Sequence, residues 1–199
     1  MGGRGMRRAI APAVIAGLVL TVLPASAGAA VVPRADERTC AQGGACAIGD
    51  IGPGGGVVFY DAGSRQEWGR YLEAAPKGWD RGRKQDPVEP GCDLAGPQTR
   101  IGTGSTNSRN SPCAGKRSSI GIAVGARAGG QTDWFLPSKG ELVEMYAHRG
   151  IIPGMQADPY WSSSKSGNGS WIVDFHDGQR VPNAGSRNEA RVRPIRAFG

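Results

Sequence analysis

The 199-residue chain carries 24 lysines and arginines against 17 aspartates and glutamates, a formal charge of +7. Its 33 glycines and 14 prolines approach the composition of a disordered chain, but the aromatic residues (Phe 4, Tyr 4, Trp 5) fall inside short patterned segments, which predicts a loop-rich globular domain instead. Mild basicity and the lack of any nucleotide motif argue against a nucleic-acid partner.

Residues 1–30 read as a secretory signal peptide. Arg4, Arg7 and Arg8 form the positive start, residues 9–23 the apolar run, and Ala25-Ser26-Ala27 the cleavage site, with Gly28, Ala29 and Ala30 also small enough for cleavage after Ala30. The alternative is a retained anchor, for which the apolar run is short. Loss of the three arginines leaves 21 basic against 17 acidic residues, a charge of +4, and no later run is long enough to span a bilayer. Residues 31–45 read as a linker.

Cys40, Cys46, Cys92 and Cys113 lie in the exported part, where pairing is favoured and a loopy domain gains most from it. Three connectivities are open, of which Cys40 with Cys46 and Cys92 with Cys113 closes the shortest loops. Paired C-x2-C spacings, which zinc prefers, are absent.

Residues 52–56, Gly-Pro-Gly-Gly-Gly, feed a strand over 57–60. A phosphate-binding loop needs the opposite order, strand then glycines then helix, so nucleotide binding is not expected. A second strand is expected over 71–76, a polar loop over 77–99, and a small-residue helix over 118–127. Ser138 and Glu141 have the spacing of a capping box, and Pro137 ends the segment before them, which predicts a helix from Ser138 to about His148, stopping at Gly150. The C-terminal third reads as an antiparallel meander. Its strands are expected over 160–164, 171–175, 179–181 and 191–198, with turns at Ser166-Gly167-Asn168-Gly169 and, as a two-residue type I′ hairpin, at Asp177-Gly178. Pro194 marks the last strand as an edge or bulged one.

No catalytic constellation, cofactor motif or metal set stands out. His148 and His176 lie on different elements, Ser162, Ser163 and Ser164 form no nucleophile elbow, and Asp174 and Asp177 are accounted for by strand pairing and turn chemistry rather than metal ligation. Arg180, Arg187, Arg191, Arg193 and Arg196 crowd the last twenty residues, with Arg191 and Arg193 on one face of their strand. Their planar guanidinium groups suit sulfate, phosphate or carboxylate, which makes the first four candidate ligands for an anionic polymer. The competing reading is a solvated edge whose arginines form ion pairs. Trp68 and Trp79, in polar loops, are the tryptophans expected at the surface, where they can stack on sugar rings. Trp134, Trp161 and Trp171 are expected in the core.

With these segments in order, residues 46–199 resemble a family of bacterial exported domains represented by the C-terminal region of the Legionella collagen-like adhesin. The matching pieces are residues 48–60, 72–76, 101–104 with Asn107, 133–139 with Glu141-Leu142, 160–164 and 192–198. The resemblance implies a C-type-lectin-like α+β fold, an antiparallel meander with two short helices and long loops, in which first and last strands pair. It also implies a non-catalytic, cell-surface or secreted adhesin-type domain that recognises glycans or sulfated polymers. The lectin calcium motifs Glu-Pro-Asn and Trp-Asn-Asp and the adhesin's collagen-like repeats are missing. Residues 135–138 are also similar to the helix entry of the formylglycine-generating enzymes, but the cysteine pair of that group lies late in the domain, and all four cysteines here precede residue 114. An oxidase of that type and a protein-binding domain are the two alternatives.

Overall fold

The computed structural model describes residues 1–2, 39–80, 96–184 and 189–199, without the side chains of 183 and 184. The chain divides into Met1–Val32 and Pro33–Gly199, and the fold belongs to the second unit. Its architecture is α+β. Two three-stranded antiparallel sheets, β1-β2-β6 and β3-β4-β5, are accompanied by three short helices among the described residues, one more than expected. The strands are β1 (Val57–Gln66), β2 (Gly69–Ala74), β3 (Pro159–Ser166), β4 (Gly169–Asp174), β5 (Arg180–Ala184) and β6 (Ile195–Phe198). The helices are α1 (Gly104–Arg109), α2 (Ser119–Val124) and α3 (Lys139–Ala147).

The alternation of side chains along a strand explains why the sequence can bury both faces of each sheet. In β1 and β2, Val57, Phe59, Leu72 and Ala74 enter the main core, while Val58 and Tyr71 point the other way, onto Cys40 and Phe198. In the second sheet Tyr160 and Val173 join the main core, and Trp161 and Ile172 a second cluster with Cys113, Ile120, Ala123, Leu136 and Val192. Each such large apolar side chain contributes about 1.5–3 kcal/mol by leaving water. Leu142 and Met145 of α3 and Phe135 complete the main core against both sheets.

The capping box forms as its spacing predicts. The Ser138 hydroxyl accepts from Glu141 N at 3.3 Å and the Glu141 carboxylate accepts from Ser138 N at 2.7 Å, and the helix gives way at His148 to a 3-10 turn over Arg149–Ile151. Ser138 Oγ also donates to Arg100 O at 2.8 Å. Ser118 caps α2 by accepting from Gly121 N at 2.9 Å. The β3–β4 turn falls at Gly167-Asn168, with Gly167 at φ +55°.

Within the segment read as a linker, Cys40 is buried and bonded to Cys46. Three expectations are corrected. The connection after β4 is longer than a two-residue hairpin: Phe175 is pulled into the core against Tyr160 and Tyr146, so Asp174 N closes the loop on Gln179 O at 2.8 Å. The last strand leaves the meander and pairs with β2, not with the first strand. It begins only at Ile195, after Pro194, which cannot donate to a ladder; before it, Arg191 bridges to β3 and Ile195 to Phe135, so this segment stitches the two sheets together.

Candidate functional site

Two buried carboxylates organise the loops of this domain. Glu73, in β2, has no exposed surface. Its side chain lies on the face opposite Leu72 and Ala74, where the 52–56 loop wraps it: Gly54 N donates to both oxygens at 3.0 and 3.1 Å and Gly56 N donates at 3.1 Å. The run of glycines is therefore a cradle for the protein's own anion. A Cβ at Gly54 would lie 2.7 Å from the carboxylate, and one at Gly56 would overlap Ala74 O. Arg196 Nη1 completes the site at 2.9 Å, and its Nε reaches Asp133 at 2.5 Å. Burial raises the Glu73 pKa above the ordinary carboxylate range, against the lowering pull of Arg196 and the two backbone donors.

Glu141 does for residues 100–104 what Glu73 does for the glycine loop. Gly102 N and Gly104 N donate to its Oε1 at 2.8 and 3.3 Å. Burial pushes its pKa from 4.5 up to about 7, outweighing the N–H groups of Ser138, Gly104 and Gly102. A pKa raised in the fold stabilises below the unfolded value and loses that contribution as pH rises through the folded one. The contribution is thus present below about pH 4.5 and lost by pH 8, on the order of 3 kcal/mol, and Glu73 acts in the same sense. The melting temperature is expected to rise between pH 8 and pH 5, and the rise to shrink in Glu141→Gln; a flat profile in the wild type contradicts the assignment.

The loop that Glu141 holds leads into α1, and together they form one wall of a cleft of about 500 Å³. Trp68 lines it from the two-residue turn between β1 and β2, partly buried and tilted against Tyr60 at 6.3 Å between ring centroids. Gly102, at φ +86°, lets the indole close onto the backbone, and any side chain there would overlap the Trp68 ring. Ser105, Thr106 and Arg109 of α1 line the cleft with Glu67 and Asp133. Arg109 is fixed in place, its Nε donating to Ser105 Oγ and its Nη2 to Asp133 O, each at 3.0 Å. The cleft offers an aromatic face, a guanidinium, two carboxylates and two hydroxyls.

Of the candidate ligand residues read from the sequence, Trp68 alone among the described ones lines this cleft. Trp79 bridges two apolar clusters, between Trp134 and Ala75 on one side and the Trp161 group on the other. It is partly buried, as Trp68 is. Arg180 is exposed, Arg187 lies outside the described residues, and Arg191 holds Asp158 at 2.5 Å.

Arg193 is 6% exposed, so it does not share an open face with Arg191. Its Nη2 donates to Pro153 O at 2.9 Å, its Nε has no hydrogen-bond partner, and burial pushes its pKa down to about 10. Among the described residues Arg193 therefore adds no open guanidinium beside Arg191, and Arg196 is paired with Glu73 and Asp133.

Cys40 and Cys46 form a disulfide, and Cys113 is disulfide-bonded as well; Cys92, the remaining cysteine of the sequence, lies outside the described residues. Trp134 and Trp161 are buried as expected, while Trp171 is partly exposed beneath the Lys139 ammonium at 4.2 Å. Asp174 Oδ1 accepts from His176 N and Asp177 Oδ1 from Gln179 N, both at 2.9 Å, which is turn chemistry. Among the described residues no three His, Cys, Asp or Glu side chains converge as a metal set, and no helix is long and apolar enough to cross a membrane.

The chain matches no protein-family profile and no curated protein.

Proposed function

We propose that this chain is an exported, C-type-lectin-like binding module whose cleft beside Trp68 takes a carbohydrate. The observation that carries this reading is the cleft itself, in which a partly buried indole packed onto Gly102 shares the lining with an arginine whose orientation is set by two hydrogen bonds. Sugar rings present apolar C–H faces that pack on an aromatic ring and equatorial hydroxyls that bond to a planar guanidinium and to carboxylates. Rigid, pre-oriented groups bind with little ordering cost. Because Glu67 and Asp133 flank Arg109, the cleft suits an uncharged or mixed-charge glycan better than a sulfated polymer. Export follows from the reading of residues 1–30.

A glycan array spanning uncharged and sulfated mono- to hexasaccharides, probed with the wild type and with Trp68→Ala, tests this. Retention of at least one uncharged glycan, weakened at least tenfold in Trp68→Ala and little changed between low and physiological salt, is the expected result. No retained glycan, or retention limited to sulfated glycans and abolished by salt, overturns it.

A further inference from the structure

A second cleft, of about 360 Å³, lies against α1. Thr106 lines both clefts. On a helix of 3.6 residues per turn, Ser105, Arg109 and Thr106 occupy one quadrant and Thr106, Asn110 and Asn107 the next. The first set lines the Trp68 cleft and the second set the other, so α1 is a ridge with the exposed Thr106 on its crest.

The second cleft has its own character. Asn110 and Gln98 are exposed amides, and Pro97 and Pro112 add apolar ring faces. Its floor is held by Asn107, whose Nδ2 donates to Gln98 O at 2.7 Å, and Gly96 is required because a Cβ there would overlap the Asn107 amide. Donor and acceptor amides beside apolar rings offer the same complementarity to sugar hydroxyls and C–H faces as the first cleft, without charge.

We infer that the two clefts are consecutive subsites for one oligosaccharide of at least two rings, which crosses α1 over Thr106. This rests on the carbohydrate reading of the Trp68 cleft. A ligand that fills both must pass over a helix about 10 Å across with its side chains, which a single sugar ring cannot do. The recognised class is therefore an internal stretch of a chain rather than one terminal sugar.

Titration of the wild type with the mono-, di- and tetrasaccharide of each series retained on the array reads this directly. The tetrasaccharide is expected to bind at least tenfold more tightly than the monosaccharide. Asn110→Ala and Gln98→Ala, both at exposed positions that line the second cleft and not the first, are expected to abolish that difference while leaving the monosaccharide affinity within twofold. Equal affinity for monomer and tetramer, or a length dependence that survives both substitutions, overturns the two-subsite inference and leaves the Trp68 site standing. Failure of every glycan to bind overturns both proposals together.

Discussion

Replacing Glu73 by alanine is expected to lower the melting temperature by on the order of 10 °C. The substitution leaves the Gly54 and Gly56 N–H groups without their acceptor and takes from the Arg196 guanidinium, which is only 12% exposed, its buried partner, so that Asp133 alone still pairs with it. Removing one partner of a buried ion pair costs about 3–5 kcal/mol, because the other charge remains out of water. A domain of this size loses about 2–4 °C per kcal/mol. Glu73→Gln retains the shape and one acceptor and is expected to fall between. Asp61→Asn, which breaks a more exposed pair with Arg70, serves as the control and is expected to barely move the transition. If Glu73→Ala melts within 2 °C of the wild type, the glycine loop is not organised by this carboxylate.

Gly102→Ala is expected to damage both fold and binding. At φ +86° an alanine sits in the left-handed region, which costs about 1–2 kcal/mol. The larger effect is geometric. The added methyl overlaps Cδ1 and Nε1 of Trp68, so the indole must swing into the cleft or out of it, and in either position the aromatic wall is lost. A fall of several degrees in melting temperature together with at least tenfold weaker glycan binding is expected. Gly115→Ala, at a position with open space and ordinary φ, should change neither. Unchanged binding in Gly102→Ala would mean that Trp68 does not form the cleft wall.

Short-range chemistry in this chain was legible. The Ser138/Glu141 capping box and the Gly167-Asn168 turn are set by residues within three or four positions, and each forms where its spacing places it. What the sequence hides are partnerships over long separations. Arg196 reads as a surface cation until Glu73, 123 positions earlier, and Asp133, 63 positions earlier, are seen to surround it. The one available signal for Glu73 was a single acid inside the apolar run of residues 71–75, preceded by glycines that no phosphate motif explained. An acid in such a strand has to find donors, and a run of glycine N–H groups is a ready source.

The helix that matters most for the cleft was not expected at all. Residues 104–109 read Gly-Ser-Thr-Asn-Ser-Arg, weak helix formers until the final arginine, and Thr103 provides no side-chain cap. Tertiary bonds hold α1 instead: Ser108 Oγ exchanges hydrogen bonds with Leu136 N and O at 3.1 Å, Asn107 fixes Gln98, and Glu141 anchors the entry at Gly102 and Gly104. Propensity cannot foresee a helix whose stability comes from elsewhere in the chain. The candidate site therefore stayed out of reach even though one of its residues, Trp68, was identified.

The most direct test of the account is a two-dimensional NMR titration of the wild-type domain with the glycan that the array selects. The account predicts that the Trp68 indole N–H and the backbone amides of residues 102–110 move first and farthest, with Asn110 responding only to oligosaccharides. Perturbations confined to Arg180 and Arg191, with the Trp68 indole unmoved, would contradict it and return the site to the C-terminal arginines.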